Sequence, residues 1–423
     1  MFRSRLRKFA VVALLATHAH LLLAAGSVLH TPSGLEAIVP SPDLPFQDYV
    51  DQNSARIRQV LARDYYALRD EPFGSDYEID KAVAMRAPFQ WQPSEAACAD
   101  AQPRTGFLLI HGLTDSPYLL SDVAASLRER YPCALQRGLL LPGHSTVPGD
   151  TLDMRFEDWM AVTEYGVNSF RTEVDALFMV GFSTGTSLSV RYVDAHRDDE
   201  LIKGLIMLSP AIAARSRLAF LSPYVRWFSA WLSENAERDA GRYESFSMNA
   251  GAEFYELTSE LSSASFSPIS VPVFMAGSSA DATVNMEAAR EFFCTKTPRG
   301  ARSMLWYQAT GIDAPPQEQC DGLLVLPAQS AEHRVVNLSH TSISMAPDNP
   351  HYGLDGDYSI CLQYGDGSPD YTQCVNDDGQ TVYGESGLGS DGRYEGKLIR
   401  RGSFNPHYAQ MIEHIERFIE SVN

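Results

Sequence analysis

The stretch from Asp175 to Val193, DALFMVGFSTGTSLSVRYV, constrains this chain more than any other, because it dictates a strand, a sharp turn and a helix in immediate succession. Leu177, Phe178, Met179 and Val180 form the short apolar run expected of a parallel strand covered on both faces. Gly181-Phe182-Ser183-Thr184-Gly185 follows at once, a G-x-S-x-G elbow in which the serine adopts a strained backbone. A side chain two residues before or after such a serine would strike the neighbouring strand or helix, so glycine at 181 and 185 is a steric requirement. Beyond the turn, Leu188, Tyr192 and Ala195 repeat at helical spacing, which aims the unpaired N–H groups of a first helical turn at the serine and favours negative charge there. The pentapeptide alone is a weak signal in a chain with 29 glycines. Its place between a strand and a helix makes it specific.

Other apolar runs alternate with helical patterns, as in a parallel sheet flanked by helices. Gly106–Ile110 reads as a strand ending in His111-Gly112-Leu113-Thr114-Asp115-Ser116-Pro117, followed by a helix over Ser121–Arg130. Cys133–Leu141 reads as the next strand, closed by Pro142-Gly143-His144-Ser145. Gly204–Ser209, Val271–Ala276, Ser303–Tyr307 and Val335–Leu338 continue the series, and Pro406–Ile419 reads as a closing helix. Ahead of them, Ile57, Val60, Leu61, Tyr65 and Leu68 share one helical face, and Tyr77–Gln92 reads as extended.

The segments LLIHGLTDSP, RGLLLPGHS and VGFSTG, in this order, resemble the serine carboxylesterase and monoacylglycerol-lipase-like branch of the α/β-hydrolase superfamily. The resemblance runs through residues 104–212 and resumes over 268–346 with an insertion. It implies an α/β-hydrolase fold, a mostly parallel central sheet flanked by helices, with a helical cap inserted. It also implies that Ser183 is the nucleophile and that Asp281, in Gly277-Ser278-Ser279-Ala280-Asp281-Ala282-Thr283-Val284, is the acid of a triad. His340, in a short loop after the strand expected at 335–338, is the implied base. His333 precedes that strand and His351 lies in a proline-flanked loop, so both are poorer placed. The chain order serine, aspartate, histidine is the one this fold requires. Backbone N–H groups of Leu113 and Thr184 are the implied oxyanion hole, and His111 and His144 are expected to be structural.

Residues 1–27 carry Arg3, Arg5, Arg7 and Lys8 before an apolar stretch, the pattern of a signal peptide or N-terminal anchor. The remainder, 28–423, reads as one hydrolase domain. A cap or lid is expected over about 211–267. There Ser222 and Pro223 read as a helix start, and Tyr224, Trp227, Phe228 and Trp231 share a helical face that would wall an acyl pocket. A Gly/Asp-rich insertion over about 347–403 reads as a solvated loop. Its Asp355, Asp357, Asp366 and Asp370 lack the spacing of a calcium loop.

With 34 basic and 53 acidic residues the net charge is −19, which argues against a nucleic-acid partner. Six cysteines in a chain with an export pattern fit disulfides. Fifteen pairings are possible, and Cys361–Cys374, flanking a Gly/Asp/Tyr loop, is favoured. No metal or cofactor is expected. The expectation is therefore an exported serine hydrolase, periplasmic, extracellular or anchored, cleaving small carboxylic esters of short-to-medium acyl chains through an acyl-enzyme, with transient contact to a lipid or membrane surface. Lipase, thioesterase and acyltransferase chemistry use the same triad. A non-catalytic binding protein on the same fold would be expected to have lost part of it.

Overall fold

The computed structural model describes residues 28–94, 98, 102–316, 320–376, 379, 381–385, 396–401 and 404–422. The expected export segment, residues 1–27, lies outside them. The main sheet begins with β1 (Phe89–Trp91), β2 (Thr105–Ile110), β3 (Leu135–Leu139), β4 (Ala176–Phe182) and β5 (Ile202–Leu208). Next, β6 (Trp231–Ser233) and β7 (Phe246–Ser247) pair as a separate antiparallel ribbon. Then β8 (Val273–Ser278), β9 (Arg302–Gln308) and β10 (Leu323–Pro327) complete the sheet, in the order β1-β3-β2-β4-β5-β8-β9-β10. Only β1 is antiparallel to its neighbour.

Every residue of β4 is buried. That is what an unbroken apolar run requires when helices cover both faces of a parallel sheet. One face packs on the helices Phe156–Asn168 and Thr184–Ala195, with Trp159, Val162 and Leu188 in that core. The other packs on Ser121–Arg130 and the closing helix Tyr408–Val422, through Val123, Ile412, Ile415 and Phe418. The winding decides where a site can lie. From β2 the chain moves to one side to build β3, crosses back to build β4, and then advances only toward the other edge. Beyond the carboxyl ends of β2 and β4 the connections diverge, leaving the crevice in which doubly wound sheets hold their ligands.

Four expectations are corrected. Residues 77–92 are not extended: Ile79–Arg86 is a helix and only β1 is strand. The run IDKAVAMR is made of good helix formers, and its Arg86 is buried, donating to the carbonyls of Asp239, Ala240 and Thr146. The last strand is β10, not Val335–Leu338. The LLVL run of β10 hides in the insertion expected within 268–346, behind Gly322, where φ is +81° and an added Cβ would stand 2.3 Å from the Arg302 carbonyl oxygen. Val335 only bridges Ser330 and Tyr383. Thirdly, the helix expected to carry Tyr224, Trp227, Phe228 and Trp231 stops at Val225, and Trp231 opens β6.

The fourth correction concerns the region 347–403. Its described parts are folded, not a solvated loop: a helix over Pro369–Val375 and a parallel pair, β11 (Val382–Gly384) with β12 (Ile399–Arg401). Cys361–Cys374 is closed as a disulfide there, and Tyr383 is buried with its ring 4.9 Å from Phe404. Asp357 accepts from the Tyr77 hydroxyl and Asp366 pairs with Arg238. The other cysteines form Cys98–Cys133 and Cys294–Cys320.

Candidate active site

Ser183 stands at the carboxyl end of β4 with φ 50° and ψ −116°, the strained turn that the flanking glycines foretell. A Cβ on Gly181 would lie 2.6 Å from the Gly185 carbonyl carbon, and one on Gly185 only 2.0 Å from the carbonyl oxygen of Ile110. The glycines thus let the helix start press against the end of β2. Thr186 holds the turn, its N–H and hydroxyl both donating to the Ser183 carbonyl at 2.9 and 2.6 Å.

Asp281 sits in the turn after β8 with no exposure to solvent. Its Oδ1 accepts from the N–H groups of Thr283 and Val284, at 2.8 and 2.9 Å. Its Oδ2 lies 2.6 Å from His340 Nδ1, and His340 Nε2 lies 2.8 Å from Ser183 Oγ. A carboxylate against Nδ1 places the ring proton there and leaves the Nε2 lone pair facing the hydroxyl. Ser209, at φ 47°, braces the histidine by donating its hydroxyl to the His340 carbonyl at 2.7 Å. The serine follows β4, the acid β8 and the histidine β10, around a sheet whose winding reverses between β2 and β4.

The chain has the α/β-hydrolase fold. No family model matches the sequence. A thermostable monoacylglycerol lipase of Bacillus sp. (strain H-257) is 32% identical over 115 residues, which are 26% of this chain and 44% of the lipase. The chain therefore spans less than half the length of that curated relative. Among solved structures, a metagenome-derived lipolytic enzyme is 20% identical with a TM-score of 0.45, covering 52% of this chain and 87% of its own. A monoglyceride lipase of Saccharomyces cerevisiae is 16% identical with a TM-score of 0.42, covering 52% and 81%.

The two histidines that compete with His340, and the two expected to be structural, are engaged elsewhere. His333 Nδ1 meets Ser330, and His351 is bound between Asp239 and the Tyr77 hydroxyl. His111 donates from Nδ1 to the Gly112 carbonyl and accepts at Nε2 from the Leu141 N–H, which shapes the loop carrying Leu113. Burial holds it well below the usual imidazole range, and burial pushes His144 down to about 4.

Ser183, His340, Leu113 and Thr184 open onto one cavity of about 590 Å³. Its apolar lining includes Leu221, Val225, Leu232, Phe246, Met248 and Phe254. Its polar lining includes Asp115, Arg242, Thr341 and Arg401. Tyr224, Trp227, Phe228 and Trp231 are not among its walls. Tyr224, Trp227 and Phe228 are 68%, 78% and 91% exposed, and Trp231 stacks edge-on against His30. The helix ends before their shared face is built.

Three charged wall residues, Asp115, Arg242 and Arg401, escaped the sequence reading. Arg401 comes from β12, its Nε donating to Glu385 at 2.7 Å and its Nη2 to Thr283 Oγ1 at 3.2 Å, next to the Asp281 turn. Nothing local in its sequence marks it. Arg242 faces Asp115 at 3.7 Å, and Asp115 follows so closely on the His111-Gly112 turn that proximity alone could have singled it out.

Asp115 Oδ1 has no hydrogen-bond partner, and burial pushes this carboxyl up to about 6 despite the nearby charge of Arg242. A folded-state value above the unfolded one means stability is fully present below about pH 4 and is lost as pH rises to about 6. The cost of the ionised group at pH 8 is up to about 3 kcal/mol. Asp115→Asn should therefore raise the melting temperature at pH 8 and change it little at pH 4. An equal shift at both values would refute the assignment.

Proposed function

We propose that this chain hydrolyses carboxylic esters through an acyl-enzyme. The observation that carries the reading is the unbroken hydrogen-bonded relay from Asp281 through His340 to Ser183, opening on a cavity with an apolar lining. Neutral His340 takes the hydroxyl proton through Nε2 as Ser183 Oγ attacks the ester carbonyl, and Asp281 stabilises the imidazolium. The carbonyl oxygen, now negative, lies between the N–H groups of Leu113 and Thr184, the latter at a helix start where anionic charge is favoured. His340 returns the proton to the leaving alcohol, and the acyl group stays on Ser183. A water, deprotonated by His340, then attacks the acyl carbonyl, and His340 returns that proton to Ser183 Oγ as the acid is freed. The 115-residue similarity to a protein named a monoacylglycerol lipase supports this reading. A fluorophosphonate probe tests it: it should label Ser183 alone, and labelling of any other serine would overturn it.

The acyl chain occupies the part of the cavity lined by Phe246, Met248 and Phe254, and its size favours short-to-medium chains. Each methylene buried there contributes about 0.8 kcal/mol until the space is full. Phe254→Ala should move the preferred acyl length upward on a series of model esters. Gly251→Val, whose Cβ would already stand 3.3 Å from Phe246, should move it downward. Profiles that stay unchanged in both variants would place the chain elsewhere. Three disulfides fit an exported, oxidising setting. Among the described residues, no helix is long and apolar enough to cross a membrane.

A further inference from the structure

Tyr224, Trp227 and Phe228, absent from the cavity, face outward, and they do so together. Among the described residues twelve large apolar side chains are exposed, and seven of them lie between Leu218 and Leu232. Trp227 and Phe228, at 78% and 91%, are the most exposed of all. Isolated exposed apolar residues are ordinary; a cluster of this density on one short segment marks an interaction surface. Its composition of tryptophan, tyrosine, phenylalanine and leucine is the one that settles at the boundary between lipid headgroups and acyl chains.

Charge points the same way. From Pro210 to Ser233 there are three arginines, Arg215, Arg217 and Arg226, and no acidic residue, in a chain whose net charge is −19. Arg226 is paired with Glu253 and Glu256 beneath the segment, whereas Arg215 and Arg217 are exposed on it. A strongly acidic protein thus presents a basic, apolar face, and that combination complements an anionic lipid surface with an apolar interior. The face is continuous with the cavity. Leu218, Leu221 and Leu232 are exposed on it and also line the cavity that holds Ser183.

We infer that the segment 215–232 docks this protein onto an anionic lipid bilayer, with Trp227 and Phe228 entering the headgroup boundary and the cavity mouth held against the membrane. Docking stands on the exposed face itself; its use, delivering a lipid-borne ester to Ser183, rests on the function proposed above.

Co-sedimentation with vesicles tests it, using the full folded chain and its Ser183→Ala form, which separates docking from turnover. Both should bind vesicles of phosphatidylcholine mixed with phosphatidylglycerol, more weakly as salt rises or when phosphatidylcholine is alone. Trp227→Ala with Phe228→Ala should weaken binding to both compositions at least about tenfold. Arg217→Glu should weaken it about tenfold on the anionic vesicles and little on the neutral ones. Hydrolysis of a water-soluble short ester should be unchanged in these variants. Absence of vesicle binding, or binding untouched by either change, overturns the inference. So does a wild-type dimer that the double substitution turns into a monomer, since a second copy would then cover the face. Vesicle binding without any esterase activity would leave docking standing and remove the proposed function.

Discussion

Ser183→Ala should lower ester turnover by about four to six orders of magnitude while the protein melts within a degree or two of the parent. The change removes one hydroxyl and keeps the Cβ, so the strained turn, the Thr186 contacts and the packing of Gly185 on β2 are all retained. What disappears is the hydroxyl oxygen that stands 2.8 Å from His340 Nε2 and is the proposed attacking atom. His340→Ala should be nearly as damaging, and the double variant little worse than either, because the residues act as one unit. Turnover of a soluble chromogenic ester and a thermal melt measure both halves. Activity within tenfold of the parent, or a collapse of the melting temperature, would be inconsistent with the roles assigned.

Gly185→Ala should be as severe for a different reason. The new methyl would sit 2.0 Å from the Ile110 carbonyl oxygen and 3.0 Å from that of His111, and both are backbone atoms that no rotamer change can move aside. Either the helix start retreats or the end of β2 does, and the Leu113 loop moves with it. A loss of at least about 3 kcal/mol is expected. Residual activity should be lower by roughly a hundredfold, as when catalytic groups shift by about an ångström. Denaturant titration and kcat/KM report these separately. Gly300→Ala is the contrast: at φ +76° with open space around it, it should cost only about 1 kcal/mol, the ordinary penalty for a left-handed side chain. Equal effects at the two glycines would mean that the steric argument fails.

The three residues of the hydrogen-bonded relay were readable because each is announced locally. Ser183 is bracketed by glycines that the turn demands, and Asp281 and His340 lie in recognisable turns. What failed was whatever depended on where a local element stops or on a distant partner. The spacing of Tyr224, Trp227, Phe228 and Trp231 is truly helical, but the helix ends at Val225, so the side chains never align. The LLVL run of β10 was masked by the polar, proline-containing stretch before it. Arg401 lines the cavity beside Thr283, to which it donates from 118 residues further along the chain, and no short window contains both. Asp115 is the exception, a local signal beside the His111-Gly112 turn that was passed over.

The distances along the chain between the three relay residues carry a temporal meaning. His340 lies 157 residues after Ser183 and 59 after Asp281. No fragment ending before residue 340 can abstract the serine proton, however well its sheet has formed. Under the function proposed above, a ribosome-bound chain is consequently chemically silent, a form of latency that needs no inhibitor and no cleavage. Its serine is made early, and the base arrives only after β10, the last strand of the main sheet.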